Sequence, residues 1–101
     1  MSEARVIRHV MIRGSVQGVG FRRWVELEAH ARKIEGWVRN RRDGAVEAVF
    51  AGPFSAVTGM IDACRMGPAL ARVTAVDVYE AGARELGERR AGETFSLLST
   101  V

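Results

Sequence analysis

The chain has 101 residues and sets 15 Lys and Arg against 12 Asp and Glu, a formal net charge of +3. Its length suits one domain with a single small core, and 48% hydrophobic with 27% charged residues is the balance of an ordinary globular protein. No apolar run approaches the ~18 residues that a membrane-spanning helix needs. "MSEARVIRHV" also lacks the apolar stretch of a secretory leader, so a cytoplasmic protein with no membrane partner is expected.

Val6 to Arg13 alternate as a strand, with Val10 and Ile12 directed at a core. Gly14 to Gly20 break the alternation. From Phe21 the period becomes helical: Phe21, Trp24, Val25 and Ala29 share a face, and Glu28 pairs with Arg32 at i,i+4. Ile34 to Asn40 read as a second strand, "RRDG" as a hairpin turn, and Ala45 to Ala51 as a third strand with Val46, Ala48 and Phe50 on one face. "GPFS" opens a second helix with an apolar stripe of Phe54, Val57, Ile61 and Cys64, stopped by Gly67-Pro68. Val73 to Glu80 alternate again. Ala81 to Glu93, rich in Gly, Arg and Glu, read as a mobile surface loop, and Thr94 to Leu98 as a last short strand.

The order β-α-β-β-α-β predicts a ferredoxin-like α+β sandwich, an antiparallel sheet of four or five strands with two helices on one face. One such domain fills residues 1–101, with an ordered core over about 6–98. That fold hosts many unrelated functions, so the function must come from the residues.

Gly14, Gly18 and Gly20 stand between the first strand and the first helix. Glycine loses more freedom on folding than any other residue, so bare backbone here calls for a reason. A Walker loop is excluded, because Val19 stands where its second glycine belongs and no Lys-Ser/Thr follows. A dinucleotide fingerprint from Gly18 fails at Arg23. The physics of a glycine turn at a helix N-terminus survives both failures: unsatisfied N–H groups converge beside a partial positive charge and make an anion cradle. Arg22, in the first helical turn, can reach back over it, whereas Arg23 points about 100° away. A tight turn beside a surface arginine is the competing reading, and the loop alone does not choose. Asn40 ends the second strand, whose end this topology brings towards the loop. A plain turn asparagine is the alternative there.

"GSVQGVGFR", "GWVRN", "DGAVEAVFAG" and "GPALARV" together resemble the acylphosphatase family over roughly Val6 to Leu98. The loop is similar to that family's G-x-V-Q-G-V-G-F-R at every fixed position, and the spacing of Arg22 and Asn40 also fits. The resemblance implies hydrolysis of acyl phosphates to a carboxylate and inorganic phosphate. It implies that Arg22 and the backbone of Ser15, Val16, Gln17, Gly18, Val19 and Gly20 hold the phosphoryl group, while Asn40 positions the attacking water. Neither motif holds a carboxylate, histidine or cysteine, so no general base is on offer. No cofactor and no metal are expected, since two histidines and one cysteine form no cluster. A monomer acting on small acyl phosphates is expected, with no nucleic-acid partner.

His9 reads as structural or exposed, Cys64 as a buried thiol, and Trp24 and Trp37 as core. Arg39, Arg41 and Arg42 read as a solvated hairpin or as anion-steering charge. One departure stands out: Arg32-Lys33 occupy the end of the first helix where the family usually has Leu-Gly, so a residue suited to positive φ is missing there. Two other functions compete. An RNA-binding sheet would stack bases on its aromatics, but no RNP1-like string is present. A regulatory acylphosphatase-like domain of a carbamoyl-transferring maturation protein would bring zinc-finger Cys pairs and a long extension.

Overall fold

The computed structural model describes residues 3–101. Met1 and Ser2, which begin the stretch read against a secretory leader, lie outside the described residues. The order is β1 (Arg5–Ser15), α1 (Phe21–Ala31), β2 (Glu35–Asn40), β3 (Val46–Pro53), α2 (Phe54–Met66), β4 (Arg72–Glu80), α3 (Ala83–Leu86) and β5 (Phe95–Leu97). The strands lie side by side as β4-β1-β3-β2-β5. β3 pairs antiparallel with β1 and β2, and β4 antiparallel with β1. The β1-α1-β2 and β3-α2-β4 crossovers therefore each skip one strand, and α1 and α2 cover the same face of a ferredoxin-like sheet.

The core between helices and sheet is built by period-2 strands facing period-3.6 helices. Val10, Ile12, Val38, Val46, Ala48 and Phe50 meet Phe21, Val25 and Ala29 of α1 and Val57, Met60, Ile61 and Cys64 of α2. Phe54, expected in the α2 stripe, is instead exposed. It is the first residue of the helix, where the chain turns out of β3 and the N-terminal segment supplies the contacts: Phe54 N–H donates to the Ala4 carbonyl, and the Ser55 N–H and hydroxyl to the Glu3 carboxylate. Burial pushes the Cys64 thiol up to about 12, as expected of a buried thiol. Among the described residues, no helix is long and apolar enough to cross a membrane.

The sheet is mixed rather than wholly antiparallel, because β5 pairs parallel with β2. β2 and β4 run in opposite senses, so a connection that reverses direction after β4 enters the far edge in the sense of β2. The stretch read as a mobile loop, Ala81 to Glu93, makes that crossing and is anchored along its length. It contains α3, whose Glu85 carbonyl accepts the Trp37 indole N–H at 2.7 Å. Further on, Arg89 pairs with Glu35 at 3.0 Å, and the Arg90 N–H donates to the Ser96 hydroxyl. Composition misleads here because the face opposite α1 and α2 also needs cover. β3 is central, and every residue from Val46 to Gly52 is buried. Trp37 is thus buried, but on this second face rather than in the main core.

Lys33 supplies what the missing glycine leaves undone. It sits at φ 58°, the only non-glycine at positive φ among the described residues. Its N–H donates to the His30 carbonyl and the Ile34 N–H to the Ala29 carbonyl, the paired bonds of a Schellman end. α1 therefore closes as a glycine would close it, at the cost of an L side chain in left-handed backbone.

Candidate active site

β1 runs to Ser15, two residues past its expected end, with Ser15 opposite Arg72 of β4. The chain then turns through Gln17 to Gly20 and enters α1 at Phe21. Gly20 is the N-cap at φ 80°, ψ 19°, and Gly18 lies at φ 76°. A Cβ at either would meet nothing within 4 Å, so backbone angle rather than crowding demands glycine. No side chain caps this N-terminus and no acidic residue stands in its first turn. The first N–H groups of α1 are left available, beside the positive end of the helix dipole.

They open onto a cavity of about 200 Å³. It is lined by Val16, Gln17, Gly18 and Gly20 from the turn, Phe21, Arg22 and Arg23 from α1, Asn40 from the end of β2, and Leu97 from β5. Drug-sized ligands occupy ~300–1,000 Å³, so this space suits a small anion and part of what it carries. Of the residues expected to cradle an anion, Val16, Gln17, Gly18 and Gly20 line the cavity. Ser15 does not, being paired in β1, nor does Val19, which packs against the core. Arg22 and Asn40, separated in sequence, meet there.

Three tethers hold this arrangement. Arg22 Nη1 donates to the Leu98 carbonyl at 3.3 Å, which steers the guanidinium while leaving its other donors free of that bond. Gln17 Nε2 donates to the carbonyls of Arg41 and Ala45 at 2.6 and 2.9 Å, tying the turn to the hairpin that follows Asn40. The segment after β5 continues alongside β2: Leu98 N–H donates to the Val38 carbonyl, Val101 N–H to the Asn40 carbonyl, and Arg42 N–H to the Val101 carbonyl. The Gln17 side chain and the Leu98 carbonyl were invisible to pattern reading. One was counted for its backbone alone, and the other is a main-chain group delivered by sheet pairing.

Arg23 does not simply point away. It lines the cavity while its Nη1 pairs with Glu26 at 2.5 Å. The hairpin arginines are also not uniformly solvated. Arg39 Nε and Arg41 Nη1 donate to one oxygen of Glu47, at 2.7 and 3.0 Å, and Arg39 further pairs with Glu88 and lies 4.5 Å over the Trp37 ring. His9 Nε2 meets the other Glu47 oxygen at 2.6 Å, a structural place for that histidine. Burial alone raises the Glu47 carboxyl, but the bonds from Arg39, His9 and Arg41 outweigh it and hold the group below its ordinary 4.5. Glu35 is held low chiefly by its hydrogen bond from Arg5, with Arg89 adding to it against the effect of burial. Among the described residues no three His, Cys, Asp or Glu gather as a metal site. Among the described residues, none that lines the cavity carries a carboxylate, imidazole or thiol.

Fold and site together define a small ferredoxin-like domain in which a glycine turn, the first turn of α1 with Arg22 and Arg23, and Asn40 at the end of β2 line one cavity. The acylphosphatase family profile matches residues 8–90. An acylphosphatase of Bradyrhizobium diazoefficiens is 59% identical over 98 residues, covering 97% of this chain and 99% of the relative. The crystal structure of acylphosphatase from Bacillus subtilis superposes with a TM-score of 0.79 at 36% identity, covering 92% of this chain and 98% of that one. The structure of an acylphosphatase from Coxiella burnetii gives 0.81 at 30% identity, covering 93% of each. The chain belongs to the acylphosphatase family.

Proposed function

We propose that this chain hydrolyses acyl phosphates with Arg22 and the turn from Val16 to Gly20 holding the phosphoryl group and Asn40 orienting the attacking water. The observation that carries this reading is that all three line one cavity from three different elements. The water oxygen attacks phosphorus as the phosphorus–oxygen bond to the acyl group breaks, and the bonding pair leaves with the carboxylate. A carboxylate is a weak base and needs no general acid. The water's proton passes to a phosphoryl oxygen, which is why a cavity without a carboxylate or imidazole suffices. Phosphoryl transfer runs through a loose transition state, so positioning and charge stabilisation carry most of the catalysis. Turn N–H groups, the helix dipole and a permanently charged guanidinium supply the second; a neutral amide that orients without accepting a proton supplies the first.

On the same reading the chain works as one domain and as a cytoplasmic monomer on small acyl phosphates rather than on nucleic acid. Against base stacking, Trp37 is covered from α3, and Phe50 and Phe95 are buried in the core, stacked 6.2 Å apart. The deciding assay is benzoyl phosphate hydrolysis by wild type and Asn40→Ala, with and without EDTA. Wild-type activity is expected to be indifferent to the chelator. Asn40→Ala is expected to lose about a hundredfold in kcat and to keep its inhibition by inorganic phosphate. Near-normal kcat in Asn40→Ala would make that residue a turn former only.

A further inference from the structure

We propose that Glu47, on the sheet face turned away from the cavity, is the positioning residue for Asn40 and acts through Arg39 and Arg41. The proposal rests on the reading of Asn40 as the residue that orients water. Arg39 and Arg41 flank Asn40 directly, and both donate to the same Glu47 oxygen, at 2.7 and 3.0 Å. Arg39 lies opposite Glu47 in the β2–β3 register, with Asn40 opposite Val46. Successive strand side chains point to opposite faces, so holding Arg39 on the far face directs Asn40 to the near one. Arg41, already leaving the strand, is drawn back to that far face by its bond to the same oxygen. Three consecutive residues are thereby fixed at the point where β2 would otherwise fray into the turn.

Glu47 is itself held in place. Its side chain is only 8% exposed, and its second oxygen meets His9 Nε2 of β1 at 2.6 Å. The carboxylate, on the central strand β3, is thus anchored from both neighbouring strands, β1 and β2. Burying a charge is a poor way to stabilise a fold, since apolar replacements of buried ion pairs are often neutral or better. What an ionised carboxylate offers instead is direction, two charged bonds of defined geometry on the neighbours of a residue whose aim matters. From the cavity side, Gln17 Nε2 holds the Arg41 and Ala45 carbonyls. The hairpin beyond Asn40 is gripped from both faces, and Glu47 is the grip outside the site.

A double-mutant cycle tests this with wild type, Asn40→Ala, Glu47→Gln and the double variant, measuring kcat on benzoyl phosphate and inhibition by inorganic phosphate. Glu47→Gln is expected to lower kcat about ten- to hundredfold, the scale of a displacement near one ångström. Phosphate inhibition should change far less than kcat, because Arg22 and the glycines of the turn lie at the start of α1, and the hairpin reaches the turn only through the Gln17 side chain. In the Asn40→Ala background the same substitution should cost nothing further. Wild-type kcat in Glu47→Gln, or losses that simply multiply, overturns the proposal; a structural role alone would lower thermal stability without that coupling. If Glu47→Gln fails to fold, Arg41→Gln, one-third exposed in its side chain, takes its place in the cycle with the same outcomes. Unimpaired Asn40→Ala removes the reading of Asn40 and this proposal with it. Impaired Asn40→Ala beside a silent Glu47→Gln removes this proposal alone.

Discussion

Replacing Arg22 with lysine keeps the charge and removes the fork, which separates electrostatic attraction from directed binding. In the structure Arg22 lines the cavity, and its Nη1 is committed to the Leu98 carbonyl at 3.3 Å. A planar group with five donors can hold one carbonyl and still offer a pair of N–H groups to phosphate, whereas an ammonium on a flexible stem gives up one contact or the other. Losing one charged hydrogen bond costs ~1.5–3 kcal/mol, and each 1.4 kcal/mol is tenfold. Arg22→Lys is therefore expected to weaken inorganic phosphate about ten- to hundredfold, read as its competitive inhibition constant and by calorimetric titration. Arg23 makes a poor control, because it too lines the cavity. Arg65→Lys is better, lying on α2 with an exposed pair to Asp62, and should leave phosphate binding unchanged. Equal phosphate affinity in wild type and Arg22→Lys would refute the assignment of Arg22 to the anion.

Two further outcomes concern the frame that carries the site. Lys33→Gly should raise stability by about 0.5–1 kcal/mol, the penalty for an L residue in left-handed backbone less the entropy of glycine. For a chain of this size that is roughly 2–8 °C in Tm by calorimetry, and an unchanged or lower Tm would contradict the strain assigned at φ 58°. Glu47 and Glu35 both ionise more readily in the folded chain than at the ordinary 4.5. Below that value the unfolded chain binds more protons, so the stability these groups contribute is complete above 4.5 and lost as pH falls through their folded values. Urea midpoints measured downwards from about pH 6 should fall, and Glu47→Gln should flatten that fall. Parallel slopes in the two proteins would exclude Glu47 as a source.

The sequence by itself determined the main layers of the fold and most of the turn residues that line the cavity, Ser15 and Val19 being the exceptions. Alternation in β1 and β3, helical spacing from Phe21 and the Asp43-Gly44 turn are local signals, and local sterics and burial decide them. The run from Val16 to Arg22 was legible for the same reason, since turn, cap and first helical turn are contiguous in the chain. What lay beyond reading were contacts between segments far apart. Arg22 meets Leu98, Gln17 meets Arg41 and Ala45, and Arg39 meets Glu47 and Glu88 only because the sheet order brings their strands together. Ala81 to Glu93 misled for a related reason. A polar, glycine-rich segment looks mobile until the second face of the sheet, with Trp37 and Val49 in need of cover, gives it something to pack on. Lys33 shows the reverse case, where a tertiary frame imposes on one residue a backbone angle that its own chemistry disfavours. Local chemistry set the glycine turn and the start of α1, and only the pairing of distant strands decided that Asn40 lines the same cavity.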